Sequence, residues 1–167
     1  GPFNFNGEAQ YSVAPDGRHV AIVLNSVPRP YSEHPNPDIY LLFTDGTGTL
    51  LNLTPDNPRI DTAPQFSPDG KSVLFTRQQL PTVAGELQRL WRHSLADGRN
   101  TPLTEGHDLS IGDVALAADG RTLWLQAESQ GRVPLFKMRA DGSGLTQVFA
   151  EGSNTELDSA GGRLVFL

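Results

Sequence analysis

The sequence predicts an all-β fold: a partial β-propeller with about three four-stranded antiparallel blades plus the start of a fourth. Three observations support this prediction. A short turn motif repeats along the chain, alternating runs of apolar and polar residues flank each copy, and the turn-forming residues are abundant, with 17 Gly and 13 Pro in 167 residues. Alternation with a period of two, with β-branched and aromatic residues, favours strands over helices.

The repeated motif is an Asp-Gly turn. Near-copies stand at 14–17 (Ala-Pro-Asp-Gly), 67–70 (Ser-Pro-Asp-Gly) and 117–120 (Ala-Ala-Asp-Gly), and a degenerate fourth copy with its following run lies at 160–167. Glycines 17, 70, 120 and 162 are therefore separated by 53, 50 and 42 residues. A four-stranded unit that recurs at roughly 40–50 residues is typical of a propeller blade.

Each repeat contains a second Asp-Gly pair, at Asp45, Asp97 and Asp141. The order is then strand, turn, strand, variable link, strand, turn, strand. Asp-Gly between alternating runs indicates a hairpin, because Gly tolerates positive φ and the Asp side chain can bond the turn backbone. A β-sandwich or barrel is the alternative. The predicted blades run approximately over 5–58, 59–108 and 109–153, and the next one starts at 154–167.

Antiparallel order places all the Asp-Gly turns at one end of each blade and the variable links at the other end. The first link, from Asn25 to Pro37, is long and contains four prolines. Long loops on a rigid scaffold are where binding usually resides. We therefore predict contacts with a substrate or partner from this loop, through Arg29, Tyr31, Glu33 and His34.

Composition excludes several classes of function. The formal net charge is −6 and no basic run occurs, which argues against a nucleic-acid partner. Cysteine is absent, so thiolate catalysis and Cys-based zinc sites are excluded. No apolar run reaches the length of a membrane span. We expect no cofactor and no metal, and the four histidines show no metal-ligand spacing.

The motifs of catalysis are also missing. No G-x-S-x-G nucleophile elbow is present, and Ser72, the nearest approach to one, lies in a predicted strand. The Gly-rich stretches after Asp45 and Asp141 fall at hairpin turns and match no phosphate-binding fingerprint. Carboxylates cluster at Asp56 and Asp61, and again from Glu105 to Asp113, which leaves a structural Ca²⁺ site as a minor alternative.

Three stretches resemble a known repeat: 67–76 (SPDGKSVLFT), 90–98 (LWRHSLADG) and 101–106 (TPLTEG). They are similar to the PD40-type, WD40-like repeat of TolB-like propellers and of the N-terminal propeller in prolyl-oligopeptidase-family serine peptidases. The stretch 38–76 looks most like the peptidase branch, which includes dipeptidyl and acylaminoacyl peptidases. The resemblance implies a bacterial protein whose propeller is non-catalytic, gates a C-terminal α/β-hydrolase domain and helps to select short peptides.

The predicted function is therefore that of a propeller portion of such a serine peptidase, with no catalytic residue in this chain. The alternative is a TolB-like propeller that binds proteins and carries no enzyme domain. The chain starts with Gly1 and stops at Leu167 within a predicted strand, so we expect the rest of the protein to be missing. Open blade edges predict an edge-to-edge homodimer of the isolated fragment. The compartment, bacterial periplasm or cytoplasm, stays open.

Overall fold

A computed structural model describes residues 10–25, 35–80, 85–160 and 163–167, which form fourteen strands in four antiparallel sheets. The first sheet holds β1 (Tyr11–Val13), β2 (His19–Asn25), β3 (Pro37–Phe43) and β4 (Leu51–Asn52). The second holds β5 (Asp61–Phe66), β6 (Ser72–Arg77), β7 (Arg89–Ser94) and β8 (Asn100–Pro102). The third holds β9 (Ser110–Leu116), β10 (Thr122–Glu128), β11 (Leu135–Arg139) and β12 (Thr146–Phe149). The fourth holds β13 (Asp158–Ala160) and β14 (Arg163–Val165).

In each sheet the strands lie side by side in chain order, as a meander. The predicted all-β fold of four-stranded antiparallel units is confirmed. The blade boundaries near 58, 108 and 153 stay predictions. The described part of the chain has no helix that is both long enough and apolar enough to cross a membrane.

The Asp-Gly turns form as the sequence predicts. In six turns the Asp carboxylate accepts the backbone N–H of the residue two positions later, which replaces a backbone partner that the tight turn cannot supply. These bonds are 2.8–3.2 Å long and are made by Asp16, Asp45, Asp69, Asp97, Asp119 and Asp141. The glycine that follows each Asp has positive φ, between 65° and 93°.

The chain divides into two compact units, Gly1–Gly85 with Trp91–Thr101, and Glu86–Leu90 with Pro102–Leu167. In the first unit, β5 packs against β1, β2 and β3. Two side chains join β5 to the β1 segment: Gln10 Oε1 accepts the Ala63 N–H and Ser12 Oγ accepts the Phe66 N–H, both at 3.0 Å. The apolar core of this unit comprises Ala14, Ala21, Val23, Ile39, Leu53, Phe66, Val73, Phe75 and Trp91.

The second unit contains the third and fourth sheets. Its core is formed by Ala115, Leu135 and Leu157, with Trp124 and Leu164 packed against them. Asp113 of β9 ties the sheets together, since its Oδ2 accepts the Leu157 N–H at 3.0 Å. The link after β10 is a short turn closed by paired backbone bonds between Ser129 and Arg132.

Candidate functional site

The residues that the sequence predicts to contact a ligand lie outside the described part of the chain. Arg29, Tyr31, Glu33 and His34 all belong to the stretch 26–34 between β2 and β3. Their role stays a prediction. The candidate site described below was not anticipated from the sequence, and it is built entirely from residues of the first unit.

The candidate site is an open groove of about 680 Å³ in the first unit. Three of its lining residues, Asp16, Gly70 and Gly98, belong to Asp-Gly turns, so the groove reaches the end of the blades to which the sequence assigned only a structural role. Its volume is in the range of small-ligand pockets. The wall is apolar at Ala14, Leu41, Leu51, Leu53, Pro55 and Leu95, and polar at Asp16, His19, Asn52, Asp56, His93 and Asn100.

Asp56 is held in the groove by a buried arginine. Arg77, at the end of β6, donates from Nη1 and Nη2 to the two carboxylate oxygens of Asp56, at 2.9 and 3.0 Å. Its Nε donates to Asp61 Oδ1 at 2.7 Å. The guanidinium also lies over the Trp91 ring, 4.5 Å from the centroid. Such two-point contact fixes the orientation of the Asp56 carboxylate.

The two carboxylates differ in environment. Asp61 is fully buried, whereas the Asp56 side chain is 51% exposed. Burial raises the pKa of Asp61 to about 6, although the hydrogen bond from Arg77 opposes this rise. Hydrogen bonding from Arg77 lowers the pKa of Asp56. At neutral pH two ionised carboxylates therefore share one guanidinium, and Asp56 is the member of the cluster that reaches solvent.

Asn100 extends this cluster to a histidine. The Asn100 amide nitrogen donates to Leu53 O at 3.0 Å and to Asp56 Oδ1 at 2.8 Å. With both amide hydrogens used, Asn100 Oδ1 acts as an acceptor, and it lies 2.9 Å from His93 Nδ1. The hydrogen is therefore assigned to Nδ1 of His93, which leaves Nε2 of the neutral ring as an acceptor. His93 is 5% exposed and lines the groove.

A second polar group lies at the turn end of the groove. His19 Nδ1 is 3.8 Å from Asp16 Oδ2, and the His19 ring packs on Phe43 with centroids 4.7 Å apart. The Asp16 side chain is 54% exposed. The groove thus presents a second carboxylate to solvent, at a position where it is ready to accept hydrogen bonds.

Two of the carboxylates that suggested Ca²⁺ as a minor alternative have a different role. Asp56 and Asp61 converge on Arg77, and no group of three or more His, Cys, Asp or Glu side chains among the described residues is placed to hold a metal ion. Arg77 was missed at the sequence level. The available signal was a cation two positions after the apolar run Val73–Phe75, where a buried strand would leave it without water.

The polar lining of the groove consists of carboxylate, imidazole and amide side chains. Its lining, all of it in the described part of the chain, includes no serine, threonine or cysteine that could act as a nucleophile. The polar atoms are mostly acceptors, because the donors of Arg77 and Asn100 are used inside the protein. This arrangement suits a ligand that donates hydrogen bonds.

Comparison with solved structures defines the fold. The chain matches a TolB from Agrobacterium tumefaciens with a TM-score of 0.74 and 22% identity, over 99% of this chain and 56% of that protein. The chain has the fold of a TolB-like β-propeller. The acylaminoacyl peptidase of Pyrococcus horikoshii also matches, with a TM-score of 0.64 and 17% identity over 90% of this propeller chain and 22% of that chain.

Sequence comparison favours the peptidases. The propeller chain is 27% identical to dipeptidyl-peptidase 5 of Porphyromonas gingivalis over 135 residues, and 30% identical to dipeptidyl-peptidase 5 of Trichophyton schoenleinii over 148 residues. These matches cover 80% and 82% of this chain and 20% of each relative, so the chain spans about a fifth of their length. No protein-family model matches.

The comparisons confirm the resemblance that the repeats predicted, to TolB-like propellers and to the propeller-bearing peptidases. The expectation of a bacterial source is not confirmed, since relatives of the same name occur in fungi such as Aspergillus fumigatus and Trichophyton schoenleinii. The WD40-like description of the repeat likewise stays an expectation.

Proposed function

We propose that this chain is part of the propeller of a serine peptidase of the prolyl-oligopeptidase family, and that this propeller gates and helps to select short peptide substrates. The observation that carries the proposal is the match to dipeptidyl-peptidase 5, which extends over about four fifths of the chain but only a fifth of the relatives. A match that covers most of this chain but a small share of the relative is expected when the chain is one portion of a larger enzyme.

The chemistry of the described residues supports a non-catalytic role. The groove of the first unit is lined without a hydroxyl or thiol nucleophile, and the sequence has no nucleophile elbow. In this proposal the reaction belongs to a C-terminal α/β-hydrolase domain. The propeller acts on substrate access, through the long link that carries Arg29, Tyr31, Glu33 and His34.

The test uses the full-length protein from the same gene and the 167-residue chain in parallel. A fluorophosphonate probe, which labels activated serines, should label the full-length protein and leave the 167-residue chain unlabelled. The full-length protein should also release dipeptides from chromogenic dipeptidyl substrates. A full-length protein without a downstream nucleophile elbow, or without labelling, would overturn the proposal.

A second candidate is a TolB-like binding module without an enzyme domain. The match to the Agrobacterium tumefaciens TolB, with a TM-score of 0.74 over 99% of this chain, supports it. The same experiment on the full-length protein distinguishes the two candidate functions. A full-length protein that forms a closed propeller, lacks a hydrolase domain and captures a defined partner protein would establish the binding module.

We also propose that the isolated chain self-associates edge to edge. β1 is the first strand of its sheet, and its Tyr11 and Val13 side chains are 58% and 51% exposed. An edge strand with exposed apolar side chains is a site for pairing with another strand. Light scattering of the 167-residue chain should report twice the monomer mass, and a monomer in dilute solution would contradict the dimer.

A further inference from the structure

We propose that the groove of the first unit binds the basic side chain of a peptide, an ammonium or guanidinium with an apolar residue beside it. This inference does not depend on the proposed peptidase function, because it rests on the groove alone. The groove has a volume of about 680 Å³ and combines an apolar wall with three hydrogen-bond acceptors, the side chains of Asp16, Asp56 and His93.

The first argument is electrostatic. Two carboxylates, Asp56 and Asp61, share the single positive charge of Arg77, and the nearest further carboxylate on the groove wall is that of Asp16. Only Asp56 and Asp16 have exposed side chains, at 51% and 54%. The excess negative charge of the cluster therefore reaches solvent inside the groove, where a cation on a ligand would neutralise it.

The second argument is the hydrogen-bond inventory. The Nδ1–H of His93 is committed to Asn100, so its Nε2 offers a lone pair, and this side chain is almost fully buried on the groove wall. A ligand that donates several hydrogen bonds from one charged group would satisfy His93 and Asp56 together, and an ammonium or guanidinium is such a group.

The third argument is the apolar wall. Leu51 is 56% exposed although it lines the groove, and Leu41, Leu53, Pro55 and Leu95 lie on the same wall. A leucine left this open would lose contact with water if an apolar side chain packed on it. A peptide with a basic residue next to a leucine places a cation and an apolar side chain close together.

The test is a titration of the 167-residue chain with the capped peptide acetyl-Leu-Arg-Leu-amide, followed by amide chemical shifts and by calorimetry. Shifts should concentrate at Asp16, Asp56, His93 and Leu51. The analogue with norleucine in place of arginine should bind at least about tenfold more weakly, because it lacks the charge-assisted hydrogen bonds. Equal affinity for the two peptides, or shifts elsewhere in the chain, would overturn the proposal.

Matched variants separate binding from folding. Asp16→Asn keeps the turn bond to the Arg18 N–H and removes only the charge, whereas Asp119→Asn makes the same change in a turn of the second unit, at a residue that does not line the groove. We expect Asp16→Asn to weaken binding by roughly fivefold and Asp119→Asn to leave it unchanged. Leu51→Ser, against Leu50→Ser at the adjacent exposed position, tests the apolar wall in the same way. Equal effects within either pair, or no binding by the parent chain, would refute the site.

Discussion

Arg77 Nε donates to Asp61 Oδ1 at 2.7 Å, and both side chains are shielded from solvent, at 2% and 0% exposure. The two residues face each other across β5 and β6. At the corresponding place in the third sheet, Ile111 faces Ala127 across β9 and β10, and both are buried. One fold therefore accommodates either a buried ion pair or an apolar pair at the same register.

This contrast predicts the cost of breaking the pair. Arg77→Met should destabilise the chain by about 3–5 kcal/mol, because it leaves Asp61 buried without its cation. Asp61→Leu combined with Arg77→Met should recover most of that loss, since neither charge then needs desolvation. Urea unfolding of the two single variants and the double variant measures both effects. A double variant that loses the sum of the two single losses would contradict this interpretation.

The raised pKa of Asp61 predicts a pH dependence of stability. Since burial raises the pKa from 3.8 to about 6, the folded chain holds more protons than the unfolded chain between these values. The contribution of Asp61 to the free energy of unfolding is then greatest below pH 3.8. It falls as the pH rises through 6, by up to about 3 kcal/mol. Asp61→Asn should abolish this slope in urea unfolding at pH 4–7.

Asp56 contributes to the pH dependence of stability with the opposite sign. Because Arg77 lowers the pKa of Asp56, its contribution is present above pH 3.8 and is lost as the pH falls below that value. Carbon-detected NMR titration of the two carboxyls in the wild-type chain separates them. If Asp61 titrated below Asp56, the assignment of the buried and exposed members of the cluster would be wrong.

Gly142 is expected to tolerate a side chain less well than Gly17, Gly46 and Gly98 of the other Asp-Gly pairs. Its φ is 93°, and a Cβ there would lie 3.3 Å from Leu103 O and 3.4 Å from Leu103 Cα. Gly46 has φ of 74° and open space around the same position. Both alanine variants pay the strain of positive φ, about 1–2 kcal/mol, but Gly142→Ala must also displace backbone. Thermal unfolding should show a larger drop in Tm for Gly142→Ala, and equal drops would contradict the crowding.

The predicted substrate loop is tested in the full-length protein. If Tyr31 and His34 contact peptide, Tyr31→Ala and His34→Ala should raise KM for dipeptidyl substrates several-fold, by roughly 1 kcal/mol of binding, with kcat nearly unchanged. Lys71→Ala, in an exposed Asp-Gly turn, is the control and should alter neither constant. Unchanged KM in both loop variants would remove these residues from the list of contacts.

Much of the fold was predictable because its signals are local. The hairpin at Asp69, for example, needs only a glycine that accepts positive φ and a carboxylate that bonds the Lys71 N–H two residues later. The alternation in β2 similarly assigns Ala21 and Val23 to the buried face without reference to any other strand. Each of these two signals depends only on residues that are close together in the sequence.

The groove could not be predicted in the same way. Asp56 and Asn100 are 44 positions apart, and Asp56 and Arg77 are 21 apart, and their contact depends on how β5 packs against the first sheet. His93 lies in a strand whose alternation says only that its face is partly buried. Its hydrogen-bond partner, and therefore the nitrogen that carries its proton, follows from Asn100, which is itself held by Leu53 and Asp56.

The sequence alone specifies the repeating units, their turns and the alternation of their strands, because turn chemistry and period-two alternation act through neighbouring residues. The cluster of Asp56, Asp61 and Arg77, and its opening into a groove, follow from the tertiary fold. Charges are desolvated and paired by the packing of distant segments, and a linear pattern contains no measure of that packing. The Asp-Gly turns thus belong both to the predictable scaffold and to a surface that only folding creates.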